Sequence, residues 1–365
     1  MPNTKIRLLI AVPTLICGGV ERNVSIICNN INTDNFDVTL TVLDNSAPFF
    51  EISNPAIKVI DLKIPSARKS LFAIAKLSRE IRPDIILTTA NHLNLFFGIF
   101  KFLFPKRIKI IGRESSIMSK NKPTNWSPGF YNWLSRTFYK NLDIVICQSA
   151  FMQDDLVTHY HFPINKTRII NNAVQPPVVN GINTDNKTGS IPKFITVARL
   201  IELKGLVRLI RSVAHISVPF EYTIIGEGEM RPELEKLIKE LSLEKKVFMP
   251  GSSDQPFAQV SNPSLYLMGS HFEGFPNVLL EANAAGIPVV AFKAPGGIGD
   301  LIKNFENGIL VESDSEADFA AAVTKALSHS FDRNKISMDT KNHFDVKKII
   351  HQWEELFEEL SAAGK

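Results

Sequence analysis

Two glutamates stand on either side of a turn that opens a helix. Residues 270–282 read Ser-His-Phe-Glu-Gly-Phe-Pro-Asn-Val-Leu-Leu-Glu-Ala, and the Gly-Phe-Pro-Asn turn predicts a helix whose first free amides belong to residues 277–279. Such amides, at the positive end of the helix dipole, attract an anion such as a diphosphate. Glu273 precedes the turn and Glu281 lies one turn inside the helix, so both carboxylates are placed to accept hydrogen bonds from hydroxyls of a sugar and a ribose. The alternative is a solvated helix face that carries two acids.

Two cations follow a predicted strand in the same half of the chain. Arg199 and Lys204 stand in Val-Ala-Arg-Leu-Ile-Glu-Leu-Lys-Gly, residues 197–205, on a loop between strand and helix. Ligands bind at the strand ends of such sheets, and two cations on one such loop can point at a single phosphate group. Each charge-assisted hydrogen bond to phosphate contributes about 1.5–3 kcal/mol. The alternative is a pair of surface cations that cap the following helix.

The first half of the chain offers less specific signals. Gly18 and Gly19 follow the first predicted strand and open a helix, and glycines there let the backbone approach a ligand closely. His92 follows another strand, where it either reaches the substrate or supports its own loop. Arg113 and Glu114 are similarly placed after a third strand.

A dinucleotide-binding turn is the competing interpretation of residues 226–228, which read Gly-Glu-Gly and also follow a strand. The fingerprint of that fold requires a third glycine at position 231, where this chain has Arg231. Nicotinamide chemistry is therefore disfavoured.

Parallel sheets are needed to hold these loops. Short apolar runs alternate with segments of helical period through both halves, which is the pattern of parallel sheets covered by helices. The predicted strands are 6–12, 38–43, 58–62, 85–88, 108–111 and 144–147 in the first half, and 193–197, 222–225, 247–249, 265–268, 288–291 and 308–311 in the second. The fold class is therefore α/β, with two α/β units.

The domain boundary is predicted in a turn-rich region. Pro176-Pro177 and the polar stretch 180–190 have no periodicity, as expected of a surface loop near a domain boundary. We expect an N-terminal domain at 1–172, a C-terminal domain at 173–345 and a terminal helix at 346–365. Six apolar residues stand at helical spacing in that helix and must be buried, namely Ile349, Ile350, Trp353, Leu356, Phe357 and Leu360.

Composition limits the classes of function. The 365 residues suit two domains, and a net charge of +4 is far below that of a dedicated nucleic-acid binder, so no nucleic-acid partner is expected. Three cysteines, Cys17, Cys28 and Cys147, are too few for a disulfide framework and favour a reducing compartment. The apolar start lacks a cleavage site and the apolar stretch 85–104 carries polar residues, so neither a signal peptide nor a transmembrane helix is predicted.

Several motifs, in order, resemble those of the GT-B glycosyltransferases of family 4. They are the early glycine pair, Arg199 with Lys204, Ile-Gly-Glu-Gly at 225–228, Glu-Gly-Phe-Pro-Asn-Val-Leu-Leu-Glu at 273–281, Gly-Ile-Pro-Val-Val at 286–290 and Asn-Gly-Ile-Leu-Val at 307–311. The likeness is strong over residues 193–312 and rests on the glycine pair and the architecture in the first half. It implies two Rossmann-like domains facing a central cleft, a nucleotide-sugar donor held mainly by the second, a C-terminal helix crossing back to the first, and transfer with retention of configuration.

The resemblance also implies roles for single residues. Arg199 and Lys204 would neutralise the donor diphosphate, Glu273 would bind the sugar hydroxyls, Glu281 the ribose, and His92 would lie near the donor sugar. The predicted catalytic set is Glu273, Arg199, Lys204 and His92. The predicted donor-binding set is Gly18, Gly19, Arg199, Lys204, Glu273, Gly274, Phe275, Asn277, Val278, Leu279 and Glu281.

Fixed cations take the place of a metal in this prediction. A departing nucleoside diphosphate gains negative charge and needs positive groups aimed at its oxygens, and the chain has no Asp-x-Asp pair to hold a metal. We therefore expect no cofactor and no metal, with a UDP-sugar as co-substrate. The expected reaction moves a hexose or N-acetylhexosamine to a hydroxyl of a lipid-linked or cell-surface saccharide. The alternatives are a GT-B-fold nucleotide-sugar epimerase and a non-catalytic, transferase-like partner subunit.

Phenylalanine is concentrated at residues 95–109. This segment carries five of the 25 phenylalanines beside four cations. A basic helix of this composition lies in the membrane interface, and Phe97, Phe100 and Phe104 would enter the acyl boundary; the alternative is a helix with one face in the core. The expected location is peripheral, on an anionic membrane surface at the cytoplasmic face of the inner membrane.

Overall fold

The chain forms two compact units. A computed structural model describes residues 5–16, 18–64, 66–121, 126–180 and 191–362. One unit consists of Met1–Ala173 with Val346–Lys365, and the other of Val174–Asp345. Cys17 and residues 181–190 of the predicted boundary loop lie outside the described residues.

The first unit is built on a seven-stranded parallel sheet in the order β3-β2-β1-β4-β5-β6-β7. The strands are β1 (Ile6–Val12), β2 (Phe36–Val42), β3 (Lys58–Asp61), β4 (Ile85–Thr88), β5 (Lys109–Arg113), β6 (Ile144–Cys147) and β7 (Thr167–Ile169). The helices between them are α1 (Gly19–Asn30), α2 (Ala67–Ile81), α3 (Asn91–Ile99), α4 (Pro128–Phe138) and α5 (Ala150–Tyr160). The central strands are buried on both faces, as expected of a parallel sheet covered by helices.

The second unit carries a six-stranded parallel sheet in the order β10-β9-β8-β11-β12-β13. Its strands are β8 (Lys193–Val197), β9 (Glu221–Ile225), β10 (Val247–Gly251), β11 (Leu265–Met268), β12 (Val289–Phe292) and β13 (Gly308–Val311). Its helices are α6 (Leu206–Ala214), α7 (Arg231–Glu240), α8 (Asn277–Ala284), α9 (Ile298–Leu301), α10 (Glu316–Ser328) and α11 (Arg333–His343).

Both sheets reverse their strand order at one point. The reversal lies between β1 and β4 in the first sheet and between β8 and β11 in the second. Ligands of open α/β sheets bind outside the carboxyl ends of the strands at such a switch point. The connections that follow β1, β4, β8 and β11 are therefore the places to look for a site. The predicted residues 18, 199 and 273 lie on their loops, and residues 19 and 92 lie in the first turns of the helices that follow β1 and β4.

The last helix completes the core of the first unit. In α12 (Val346–Ala362) the six buried apolar residues are the six that the helical spacing predicts, which confirms that amphipathic helix. They join the cluster formed by β1, β2 and α1, and the rings of Phe36 and Phe357 meet edge to face with centroids 6.0 Å apart.

The predicted basic helix at 95–109 is wrong. The helix α3 ends at Ile99, a short 3₁₀ turn follows at Lys101–Leu103, and Pro105 precedes the next strand. Phe97 and Phe104 are buried and stack with centroids 5.2 Å apart, so they belong to the core, whereas Phe102 is 77% exposed. Counting phenylalanines could not separate core rings from surface rings. Across the described residues, no helix combines the length and the apolar character needed to span a bilayer.

Candidate active site

The loop after β8 presents a cation to solvent at the switch point. The Arg199 side chain is exposed and forms no ion pair with any described residue, so its guanidinium is available to a ligand. Its loop is fixed by the neighbouring strand: the Ala198 amide donates to the Ile225 carbonyl (3.0 Å) and the Leu200 amide to the Glu227 carbonyl (2.9 Å).

Two glycines after β9 let that loop approach. Gly226 has φ +150°, and a Cβ there would overlap the carbonyl oxygen of Ala198. A Cβ on Gly228 would overlap the carbonyl oxygen of Leu200 in the same way. The Gly-Glu-Gly turn that resembles a dinucleotide fingerprint is therefore explained by contact between two backbones, and it positions Arg199.

Lys204 and Glu273 form a partly buried ion pair. Lys204 Nζ lies 2.6 Å from Glu273 Oε1, and the side chains are only 19% and 12% exposed. The same carboxylate oxygen accepts a hydrogen bond from Ser270 Oγ at 2.6 Å. Lysine has three donors, so the ammonium keeps N–H groups for a further acceptor while it orients Glu273. The sequence places these two residues on separate loops, and the structure joins them.

A close approach of two loops makes this pair possible. Gly205 adopts φ +58°, and a Cβ there would overlap the carbonyl oxygen of Gly269. The His271 amide donates to the Leu203 carbonyl (2.9 Å). Because Lys204 and Glu273 flank these contacts, the glycines fix the distance between their two loops.

Arg208 also holds the loop that carries Glu273. Its guanidinium donates to the carbonyls of Gly269 and Ser270, both at 2.6 Å, and stacks on the Phe292 ring at 4.2 Å. Burial lowers the pKa of Arg208 from its ordinary value, and the nearby Asp314 opposes that shift. Arg208 was not predicted, although its place in α6, one turn after Lys204, could have indicated it.

The helix α8 begins beside this pair. It starts at Asn277, as the turn predicts, but the Leu279 amide donates to the Pro276 carbonyl at 3.1 Å. The prediction of a free amide at Leu279 is therefore wrong, because a tight first turn uses that donor. The predicted donor residues Gly274 and Phe275 are buried, and Val278 is half-buried in the first turn.

Glu281 is 7% exposed in the second turn of α8. Tyr266 of β11 lies near both predicted carboxylates, and its hydroxyl donates to the Val197 carbonyl at 3.1 Å. Burial raises the pKa of Tyr266 well above its ordinary value, and the charges of Glu273 and Glu281 add to the shift. This tyrosine stays protonated and ties β11 to the end of β8.

The corresponding loops of the first unit carry Gly18, Gly19 and His92. A Cβ on Gly18 would overlap the Glu21 carboxylate, which folds back over the start of α1, while Gly19 is exposed. His92 is exposed in the first turn of α3. Partial desolvation lowers the pKa of His92 from its ordinary value, which favours a neutral imidazole.

A buried polar network lies behind His92. Glu114 Oε1 accepts from Tyr139 Oη (2.6 Å) and Asn94 Nδ2 (2.9 Å), and burial raises the pKa of Glu114 to about 7. Arg113 is the last residue of β5 instead of following the strand, and its Nη2 donates to Asn172 Oδ1 (2.7 Å). Both residues are 2% exposed, so they support the loop from inside.

The site therefore consists of charged side chains on fixed loops. Lys204 and Glu273 meet at the carboxyl ends of β8 and β11. Arg199 lies on the loop after β8 and Glu281 in α8, while His92 and the glycine pair occupy the equivalent edge of the other sheet. Among the described residues, no group of three or more His, Cys, Asp or Glu side chains is arranged to hold a metal ion.

Two family profiles match nearly consecutive parts of the chain. The profile described as "Glycosyltransferase Family 4" matches residues 17–176, and that described as "Glycosyl transferases group 1" matches residues 183–343. Each match covers most of one compact unit.

Two curated relatives are named as transferases that act on a lipid-linked saccharide or in lipopolysaccharide core biosynthesis. A Campylobacter jejuni N-acetylgalactosamine-N,N'-diacetylbacillosaminyl-diphospho-undecaprenol 4-alpha-N-acetylgalactosaminyltransferase is 27% identical over 85% of this chain and 87% of its own. The lipopolysaccharide core biosynthesis glycosyltransferase LpsE of Rhizobium meliloti is 23% identical over 72% of this chain and 71% of its own.

Solved structures share the fold over nearly the whole chain. The lipopolysaccharide outer core galactosyltransferase WaaB superposes with a TM-score of 0.77 at 18% identity, covering 97% of this chain and 99% of WaaB. HepE of Anabaena, solved in complex with UDP-glucose, gives a TM-score of 0.77 at 20% identity, covering 97% of this chain and all of HepE. The two profiles, the relatives and the shared fold lead to one conclusion: the chain belongs to the family 4 glycosyltransferases of the GT-B fold.

Proposed function

We propose that this glycosyltransferase moves a hexose or N-acetylhexosamine, with retention of configuration, from a UDP-sugar to a hydroxyl of a lipid-linked or cell-surface saccharide. The observation that supports it most is the exposed Arg199 on the connection that leads from β8 to Lys204, together with the Lys204–Glu273 ion pair at the switch point of the second sheet. The pair places a cation for phosphate and a carboxylate for sugar hydroxyls 2.6 Å apart.

Arg199 and Lys204 neutralise the donor diphosphate in this proposal. The Arg199 guanidinium can bind two phosphate oxygens at once, and the Lys204 ammonium adds a second cation while it holds Glu273. Together with the first turn of α8, which includes Asn277 and Val278, they supply fixed positive charge to the leaving group without a metal ion.

Neutral hydroxyl groups of the ligand donate hydrogen bonds to the two carboxylates. Glu273 accepts from donor sugar hydroxyls, and Glu281 accepts from the ribose. In the first unit, Gly18 and Gly19 admit a phosphate to the start of α1, and His92 steers the reacting hydroxyl as a neutral imidazole.

The proposed transfer with retention takes place on one face of the sugar. The bond between the anomeric carbon and the phosphate oxygen breaks, the acceptor oxygen bonds to that carbon on the same face, and the leaving phosphate takes the hydroxyl proton. The protein binds and orients the two substrates and stabilises the charge of the departing diphosphate. No side chain needs to act as a nucleophile.

The acceptor is a saccharide carried on a lipid, and the enzyme acts as a peripheral protein at the cytoplasmic face of the inner membrane. Two observations support this part. The Campylobacter jejuni relative is named for a diphospho-undecaprenol substrate, and aromatic side chains are exposed on the first unit, including Phe72, Phe102, Phe130 and Trp133.

The donor assignment is tested with UDP, GDP and ADP in a thermal-shift assay. A ligand at about 100 times its Kd adds about 2.7 kcal/mol of stability, and we expect UDP to give the largest shift with the wild type. Arg199→Ala and Lys204→Met should reduce that shift, and Lys236→Ala, in an exposed pair on α7, should preserve it. A larger shift with GDP or ADP would overturn the choice of UDP.

Turnover tests the roles of the cations. Lys204→Met should lower donor hydrolysis, measured as UDP release from UDP-N-acetylglucosamine and UDP-glucose, by about 100-fold or more. Because Lys204→Met leaves Glu273 unpaired, the double variant Lys204→Met/Glu273→Gln serves as a folding control whose melting temperature should recover. Wild-type turnover in a folded Lys204→Met protein would refute the assignment.

A further inference from the structure

A pocket lined by four arginines opens at the amino ends of the strands in the first sheet, opposite the carboxyl ends where Gly18, Gly19 and His92 lie. Its volume is about 440 Å³, and it is lined by Arg7, Ser78, Arg79, Arg82, Pro105 and Arg107. Arg7 stands at the start of β1, Arg79 and Arg82 at the end of α2, and Arg107 just before β5. Three separate segments of the chain thus bring four guanidinium groups to one place.

The positive charge of this pocket is poorly compensated. Asp84 lies 3.8 Å from both Arg7 Nε and Arg107 Nη1, which leaves a net charge of about +3 if the four guanidinium groups are counted against one carboxylate. Arg79 and Arg82 form no ion pair with any described residue. Cations at the end of α2 stabilise the helix dipole, but Arg7 and Arg107 come from other elements, so the dipole does not explain the cluster.

Arg82 has an uncommon backbone conformation. Arg82 has φ +52° at the C-terminal cap of α2, a conformation that helices usually give to glycine. A side chain there carries a conformational cost that glycine would avoid. Arg82 nevertheless belongs to the lining of the pocket.

Exposed rings lie next to the arginines. Arg79 Nη2 donates to the carbonyl of Leu103 at 3.3 Å, and the adjacent Phe102 is 77% exposed. The ring of Phe100 lies 6.0 Å from Phe102 and 6.2 Å from Phe72, which is 56% exposed. Phe72 and Arg79 are seven residues apart on α2 and so share one face of the helix.

We propose that the pocket formed by Arg7, Arg79, Arg82 and Arg107 binds the phosphate of an anionic phospholipid headgroup, while Phe72 and Phe102 enter the acyl boundary beside it. Guanidinium groups match phosphate geometry, and cations combined with exposed rings are the features that hold proteins at anionic membrane surfaces. This inference deepens the membrane part of the proposed function and rests on it.

The phosphate held there is not a reacting group. The strand β4 has four residues and spans about 13 Å, and the pocket and the loop of His92 lie at its opposite ends. The pocket therefore anchors the first unit to the lipid and leaves the carboxyl edge of the sheet to the substrates.

Vesicle flotation tests the proposal. The wild type and Arg79→Gln/Arg107→Gln are mixed with vesicles of phosphatidylcholine alone or with about 30% phosphatidylglycerol. We expect binding of the wild type to the anionic vesicles only, and a loss of at least tenfold in the double variant, since each surface cation contributes about fivefold. Lys239→Gln/Lys245→Gln, an equal charge change at exposed positions of the second unit, should bind within twofold of the wild type.

The rings and the source of the phosphate are tested separately. Phe72→Ser/Phe102→Ser should also lose vesicle binding, whereas Phe248→Ser, at an exposed position on β10, should not. Equal losses in the arginine and lysine pairs would overturn the proposal in favour of bulk charge. A second outcome would overturn the proposal in favour of a soluble anion. In that outcome millimolar inorganic phosphate stabilises the wild type but not Arg79→Gln/Arg107→Gln, and the two proteins bind vesicles equally.

The nucleotide assay separates this proposal from the donor assignment. Arg79→Gln/Arg107→Gln should keep the full UDP-dependent thermal shift, because the pocket is remote from Arg199 in the chain and belongs to the other unit. Absence of a UDP shift in the wild type would refute the donor assignment and would leave the vesicle result to be judged by itself.

Discussion

At the scale of the residue, this protein accommodates buried ionisable groups in two ways. Lys204 and Glu273 satisfy each other over 2.6 Å, and removal of one partner leaves the other as an unpaired, poorly solvated charge. Glu114 has only neutral hydrogen-bond donors on its Oε1 oxygen, and its Oε2 atom has no partner within the described part of the chain. Burial therefore shifts the proton equilibrium of Glu114.

Glu114→Gln should change the dependence of stability on pH. The pKa of Glu114 rises from its ordinary value of 4.5 to about 7, first because of burial. A carboxyl whose pKa is raised in the folded state stabilises most below about pH 4.5, and this stability is lost as the pH rises through 7. Wild-type melting temperatures should therefore fall from pH 5 to pH 8 relative to the variant. Parallel curves would contradict this, and Glu240→Gln, in an exposed pair on α7, is the control.

At this scale the sequence indicates candidate site residues, whose roles stay predictions, but not the contacts that they make. Arg199, Lys204, Glu273 and Glu281 could be named from loop positions and residue type. The contact between Lys204 and Glu273, which are 69 residues apart, could not, because it depends on how closely two loops approach. The contacts of Arg208 with the carbonyls of Gly269 and Ser270 could not be predicted for the same reason.

At the scale of the element, backbone contacts between loops decide the geometry. The loops after β8, β9 and β11 touch through glycines at 205, 226, 228 and 269, where added side chains would collide with carbonyl groups or neighbouring side chains. Such contacts hold catalytic loops more rigidly than side-chain contacts, because the backbone has fewer torsions to adjust.

Gly226→Ala should therefore destabilise the protein by about 1–3 kcal/mol and weaken UDP binding, because its Cβ would collide with Ala198 next to Arg199. Gly129→Ala is the matched control, since a Cβ at that position of α4 meets nothing within 4 Å and alanine favours a helix by up to about 1 kcal/mol. Denaturant unfolding with and without UDP measures both effects. Equal stability of the two variants would show that the loop after β8 adapts freely.

The elements themselves were largely predictable. Each of the twelve predicted strands overlaps an observed strand, because apolar runs between turn residues are a strong signal. The strand β7 was missed, since three residues, Thr167-Arg168-Ile169, at a sheet edge give no periodicity to detect. The continuous helix expected at 95–109 was wrong because α3 ends at Ile99, and Phe97 and Phe104 belong to the core. A count of phenylalanines does not show which rings are buried, and membrane contact by this segment stays a prediction.

At the scale of the whole molecule, the core of the first unit depends on a helix distant in sequence. Trp353 and Phe357 of α12 are 2% and 0% exposed within the cluster that holds β1 and β2.

Phe357→Ala should lower the free energy of unfolding by about 3–5 kcal/mol. Hydrogen exchange should rise in β1 and β2 and stay unchanged in β8 and β11. Phe248→Ala, at an exposed site, should change stability by under about 0.5 kcal/mol, and a similar loss in both variants would contradict the role given to α12.

The discontinuity of the first unit has a consequence during synthesis. Its sheet is complete once Ala173 has been made, but α12 begins only at Val346, after the whole of the second unit. At about 5–20 residues per second, a ribosome needs roughly 10–35 s to cross that interval. During this time the apolar patch that Phe36 shares with Phe357 has no cover from its own chain, so the nascent first unit is a natural client for chaperones until the last helix emerges.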